Sequence, residues 1–152
     1  MNFWRGFLNK IGLANVKAER TPIAIFLLDD DVRRHDWFQK RFAKDTLDIA
    51  ETVADAKKLL TANIYDAVFL DHDLLPEHYK SNERDDARTG YAVANWLAEN
   101  PLIQSGSKIF VHTRNADAAI RMIERLREAG RMQVEYAPFT LLEQKIKNYW
   151  KN

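Results

Sequence analysis

Apolar residues along this chain fall into two alternating rhythms. Short unbroken runs, such as Ile23-Ala24-Ile25-Phe26-Leu27-Leu28 and Ala67-Val68-Phe69-Leu70, read as strands buried on both faces. Between the runs, apolar positions recur every three or four residues, as amphipathic helices require. The pattern predicts strands at 23–28, 47–50, 67–70, 108–112 and 134–137. The first helix, 32–43, has Trp37, Phe38 and Phe42 on its apolar side. The second starts at Thr52 and groups Val53, Ala56, Leu59 and Leu60 on one face. A third opens at Thr89-Gly90, carries Tyr91, Val93, Ala94, Trp96 and Leu97, and stops at Asn100-Pro101. Asn115 caps a fourth, whose Ala119, Ile120, Ile123 and Leu126 are expected to face inward, and Gly130 ends it. A closing helix at 141–150 presents Leu142, Ile146 and Tyr149. Five strand–helix alternations predict an α/β fold, a five-stranded parallel sheet with helices on both faces.

Two stretches break the rhythm. Residues 1–20 place Phe3, Phe7 and Ile11, or Trp4, Leu8 and Ile11, at helical spacing. They predict an N-terminal amphipathic extension ahead of a domain at 21–152. It is expected to pack on its own domain or a second copy, or to meet a protein partner. Residues 76–88 are charged and aperiodic, a solvated loop that could also lie over the strand ends as a substrate lid.

Bulk properties narrow the picture. A chain of 152 residues is one domain with room for a core. Its 23 basic and 22 acidic side chains nearly cancel, so no global field draws it to nucleic acid or membrane. The absence of cysteine excludes disulfides, thiolate metal sites and cysteine nucleophiles, and fits a cytoplasmic setting. No apolar run approaches the roughly 20 residues that span a bilayer, so no membrane partner is expected.

The chemistry gathers where the strands end. Leu27-Leu28-Asp29-Asp30-Asp31 and Phe69-Leu70-Asp71-His72-Asp73 both pass from apolar residues straight into carboxylates. Acids at the C-terminal ends of buried strands cluster at the edge where open α/β sheets bind ligands. Crowded carboxylates repel unless a cation joins them, so Asp29 or Asp30 and Asp71, with help from Asp73, are candidate ligands for Mg²⁺ or Mn²⁺. The fourth strand ends in Val111-His112-Thr113-Arg114-Asn115. Thr113 can donate to a phosphate oxygen and Arg114 can clamp phosphate in bidentate fashion. His72 and His112 suit proton transfer to a leaving hydroxyl. Strand alternation sets His72 opposite Asp71, and only one of His112 and Thr113 toward the carboxylates. These parts suffice to open a cyclic phosphate diester. They would equally stabilise a phosphoaspartate.

Over about residues 23–150 the sequence resembles the receiver domain of bacterial response regulators. Asp29-Asp30-Asp31 matches the acids after the first strand, and Tyr65-Asp66-Ala67-Val68-Phe69-Leu70-Asp71 the third strand with its phosphoacceptor, Asp71. The carbonyl two residues beyond the acceptor, a Mg²⁺ ligand in receivers, falls at Asp73. Thr89-Gly90 matches the opening of the third helix, Thr113 the hydroxyl after the fourth strand, and Ala137-Pro138-Phe139 the Lys-Pro-Phe after the fifth.

The departures are specific. Ala137 replaces the lysine that neutralises the acyl phosphate, and Arg114 partly restores its charge. His72 and His112 replace apolar residues, and the loop after Asp73 is long. Leu70-Asp71-His72-Asp73-Leu74 with Val111-His112-Thr113-Arg114-Asn115 is similar to a receiver offshoot that processes cyclic phosphates, linked to RNA end processing and nucleotide-centred defence. That offshoot carries Asp-His-Asp-Leu and His-Ser-Ala-Asn, from which Arg114 departs. The resemblance implies a metal-dependent phosphoesterase acting on RNA 2′,3′-cyclic phosphate ends or cyclic nucleotides. It leaves open a stand-alone receiver phosphorylated on Asp71, or a pseudo-receiver that binds proteins.

Overall fold

The computed structural model describes residues 19–74 and 87–150. The expected N-terminal extension and most of the long loop lie outside them. In chain order the elements are β1 (Ala24–Leu28), α1 (Val32–Arg41), β2 (Thr46–Ala50), α2 (Val53–Ala62), β3 (Ala67–Leu70), α3 (Gly90–Glu99), β4 (Lys108–Val111), α4 (Ala116–Glu128) and β5 (Val134–Tyr136). A 3₁₀ turn (Phe139–Leu141) then leads into α5 (Leu142–Ile146). All strands are parallel, in the order β2-β1-β3-β4-β5.

Strand alternation divides the core in two. Phe26, Leu28, Val68, Leu70, Ile109 and Val111 face α2, α3 and α4, meeting Leu60, Val93, Leu97, Met122 and Leu126. Ile25, Leu27, Phe69 and Phe110 face the other way, onto Phe38 of α1, Phe42 just after it, and Leu142 and Ile146 of α5. Phe69 stacks on Phe110 and takes the edge of Phe38, so aromatic rings fill this second layer.

Thr52 and Asn115 cap α2 and α4 as expected, each accepting a backbone N–H from the first turn, and Asp31 does the same for α1. Two expectations need correction. Ile120 is 51% exposed, because α4 turns Ala118, Ala119, Met122 and Ile123 to the sheet instead. The last helix ends at Ile146, beyond which Tyr149 and Trp150 pack on the core through turns. No described helix is long and apolar enough to cross a membrane.

The register places the site. Leu28 pairs with Leu70, Leu70 with Val111, and Val111 with Tyr136. The next residue on each strand therefore forms one row: Asp29, Asp71, His112 and Ala137. Backbone bonds extend the ladder through that row, from Asp71 N–H to the Leu28 carbonyl, His112 N–H to Leu70 and Ala137 N–H to Val111. Alternation turns all four side chains to the α1/α5 side.

Candidate functional site

The row gathers most of the chemistry. Asp29 is fully buried, and each of its oxygens is engaged. Oδ1 accepts the Asp31 N–H at 2.8 Å, and Oδ2 accepts the His112 Nε2–H at 2.7 Å. His112 is fully buried between Phe38 and Phe69, and its Nδ1 has no hydrogen-bond partner. His35 on α1 ties the same corner by donating Nε2–H to the Asp29 carbonyl at 2.7 Å. Asp71 is 2% exposed.

Carboxylate oxygens of Asp29, Asp30 and Asp71 all lie within 4.8 Å of one another. Around an octahedral Mg²⁺ adjacent ligand oxygens are separated by about 3 Å and opposite ones by about 4.2 Å, so the three carboxylates would draw in to share one ion. An all-oxygen, negatively charged donor set fits such a hard cation. The acids show their crowding. Burial pushes the Asp30 carboxyl up to about 6, and the neighbouring charges of Asp29 and Asp71 add to the shift. Burial also raises Asp71 above the ordinary carboxylate range; His112 and Arg34 oppose the shift, and Asp29 adds to it. Asp73 stands apart from this group, its Oδ1 accepting the His72 Nδ1–H at 2.9 Å.

His112 and Thr113 divide the roles that alternation allowed. His112 points at the carboxylates. Thr113 turns to a cavity of about 540 Å³ that Asp31, Arg33, Arg34, Asp71, Asp73, Arg114 and Phe139 also line. Its Oγ1 accepts the Asn115 N–H at 3.2 Å, which leaves the hydroxyl proton to donate into the cavity. His72 is buried, and its Nδ1–H donates to Asp73, which lines the cavity. Neither imidazole borders the cavity. Arg114 is exposed on its rim.

Gly90 fixes the wall behind Asp71. A Cβ there would fall 1.7 Å from the Asp71 carbonyl oxygen, closer than any side chain permits. The Gly90 N–H donates to the His72 carbonyl at 2.9 Å, locking the start of α3 onto the strand end.

Arg34 was not among the residues expected from sequence. From the first turn of α1, its Nη1 lies 3.1 Å from Asp29 Oδ2 and 3.2 Å from Asp71 Oδ2, and its Nε 3.4 Å from Asp31. Burial works against its charge, but these carboxylates outweigh it and raise its pKa. Its guanidinium carbon stands 5.8 Å from the Phe139 ring centre. A basic residue five positions after Asp29, on a helix turning back over the strand tip, was the available signal.

No curated protein matches the chain. Its fold is similar to many solved receiver domains. The signal receiver domain of an HD domain-containing protein from Pseudomonas fluorescens Pf-5 aligns with TM-score 0.60 at 16% identity, covering 84% of this chain and 90% of that one. A Burkholderia pseudomallei response regulator, solved with a phosphorylated aspartic acid, calcium ion and citrate, aligns at 0.57 and 16%, covering 85% and 66%. The response regulator TrrA from Thermotoga maritima, in complex with Mg²⁺–BeF, aligns at 0.52 and 18%, covering 82% and 94%. A family model described as "Cyclic-phosphate processing Receiver domain" matches residues 23–128, most of the described chain and every strand but the fifth. The chain therefore belongs to the cyclic-phosphate processing receiver family.

Proposed function

We propose that this chain is a metal-dependent phosphoesterase that opens cyclic phosphates, at RNA 2′,3′-cyclic ends or in cyclic nucleotides. The observation that carries the reading is the row of Asp29, Asp71 and His112 beside Thr113, with Asp30 near enough to complete a ligand set. Asp29, Asp30 and Asp71 would hold Mg²⁺ or Mn²⁺, which when bound supplies Lewis acidity toward a phosphoryl oxygen and acidifies coordinated water. In the proposed reaction a water oxygen bonds to phosphorus, one ring P–O bond breaks, and the freed ribose oxygen takes a proton.

The protein's residues then have separate tasks. Thr113 donates its hydroxyl proton to a phosphoryl oxygen, and Arg114 on the rim meets the phosphate's outer charge. Asp73 lines the cavity and bonds His72, so this pair carries the proton. His112 does not touch substrate. It orients Asp29, as the outer partner of a metal ligand does. The division into residues 1–20 and a receiver-like domain at 21–152 remains part of the proposal, as does a protein partner or a second copy met by the first segment.

Purified protein with Mg²⁺ or Mn²⁺ should convert 2′,3′-cyclic-phosphate RNA ends or cyclic nucleotides to monoesters, and Asp71→Asn should not. Metal bound by calorimetry with no turnover on either substrate class would sink the enzymatic reading.

A second reading keeps one observation of its own. Asp71 shares its cavity with Thr113 on the fold of response regulators, one of which carries a phosphorylated aspartic acid. On this reading Asp71 is phosphorylated and the output is a protein contact. Ala137 argues against it, since a methyl group on the row offers no charge to an acyl phosphate. Mg²⁺ with beryllofluoride should change the ¹⁹F spectrum and the amide spectrum if Asp71 is an acceptor. A silent wild type would remove the phosphoacceptor reading.

A further inference from the structure

The row Asp29, Asp71, His112 and Ala137 holds two buried carboxylates but no lysine or arginine. A cation nevertheless reaches it, from the helix rather than the strand. One guanidinium nitrogen of Arg34 lies between Asp29 Oδ2 at 3.1 Å and Asp71 Oδ2 at 3.2 Å, and these two acids belong to the set that brings oxygens within 4.8 Å of one another. Two like charges buried this close need a positive partner. Arg34 supplies it without help from outside the chain.

We infer that Arg34 is the resident counter-cation of the acid cluster and is exchanged for the divalent metal. The inference rests on the metal reading given above. The geometry allows the exchange. Arg34 lines the same cavity as Thr113, Arg114 and Phe139, and its guanidinium carbon is 5.8 Å from the Phe139 ring, so the side chain has a cavity wall to occupy once it leaves the acids. The planar fork suits a phosphate oxygen pair as well as it suits two carboxylates. Arg34 thus neutralises the acids when no metal is bound, and becomes a phosphate ligand when metal takes that task. The metal-free site stays folded but has low affinity for anions, and metal and phosphate enter as a coupled pair.

The test uses the full chain, stripped with chelator, and Mg²⁺ alone as the first probe. With one competing unit charge removed, Arg34→Gln should bind Mg²⁺ about ten-fold more tightly than wild type by calorimetry. At saturating Mg²⁺ the same variant should bind inorganic phosphate more weakly than wild type, whereas Arg34→Lys should sit between them in both titrations. In wild type, Mg²⁺ should shift the Arg34 Nε–H resonance of ¹⁵N-arginine-labelled protein, a measurement that stands even if Arg34→Gln fails to fold. Equal or weaker Mg²⁺ affinity in Arg34→Gln, or an Arg34 resonance indifferent to bound Mg²⁺, would overturn the exchange while leaving the metal reading intact. Wild type that takes up no Mg²⁺ would overturn both.

Discussion

Both ends of this sheet bury polar side chains, and they treat them in opposite ways. At the N-terminal edge, Arg131 is 9% exposed and donates to the carbonyls of Leu97, Asn100, Ile103 and Gln104. Gln104, held at a positive φ of 55°, accepts from the Tyr65 N–H and donates to Leu60 and Asn63, while Ser107 donates to Tyr65. Those buried groups are well supplied with partners. At the C-terminal edge, His112 Nδ1 is the one buried side-chain polar atom without a partner among the described residues, and three acids crowd together with two carboxyls pushed upward. Folding alone favours the first arrangement, because unpaired buried groups and crowded like charges both cost stability. The second arrangement is what the proposed site, and not stability, would favour.

The largest effect is expected at Gly90, which joins α3 to the C-terminal edge. Gly90→Ala drives a methyl group into the Asp71 carbonyl, and backbone must move to admit it. The expected loss is on the order of 3 kcal/mol, with the Asp71 side chain displaced. Chemical denaturation and metal titration of the same sample read both effects. An alanine variant of wild-type stability would mean that the close approach of α3 to the strand is not real.

Arg131→Met probes the far end alone. It leaves four carbonyls short of a donor in a half-closed pocket, and should cost about 2 kcal/mol. Metal affinity should not change, since no residue of the acid cluster touches Arg131. A parallel loss of metal binding would mean the two ends are coupled.

The sequence made one of these ends far more legible than the other. The five strands and the acids Asp29 and Asp71 follow from local signals, an apolar run and the carboxylate that ends it, and the parallel sheet follows from the alternation of strands with helices. His112 and Thr113 could be narrowed to a choice but not assigned, since that depends on how far strand pleating persists past Val111. Arg34 was hidden for a different reason. Its role depends on the angle at which α1 returns over the tip of β1, and on a fourth row position, Ala137, that carries no charge. Arg131 and Gln104 were equally hidden, their partners lying in a loop with no periodicity.

His112→Phe is a milder cut into the functional edge. Phenylalanine keeps the ring contacts with Phe38 and Phe69 and removes both the Asp29 bond and the orphaned nitrogen. Stability should change little, because a lost bond is offset by a lost unpaired group. Metal affinity should fall about ten-fold, the usual loss when an outer partner of a metal ligand is removed. If stability collapses and affinity holds, His112 is a core residue and the contrast between the edges weakens.

The smallest effect reads burial and crowding at Asp30 together. Asp30 has its carboxyl raised to about 6, above its unfolded value near 3.8. Between those two values the folded chain holds more protons than the unfolded chain, so stability must fall as pH rises through this window. The loss is complete above pH 6 and absent below pH 4. A two-unit shift in a dry site would amount to about 3 kcal/mol, but Asp30 is only half-buried, and solvent screening reduces the expected loss to about 1 kcal/mol. Asp30→Asn removes this contribution and part of the repulsion on Asp71. Without metal, the variant should therefore match wild type near pH 4 and exceed it by about 1 kcal/mol at pH 7. Denaturation curves at half-unit pH steps would show the two diverging between 4 and 6. Curves that stay parallel would mean that neither burial nor repulsion from Asp29 and Asp71 raises Asp30, and that this edge is as relaxed as the other.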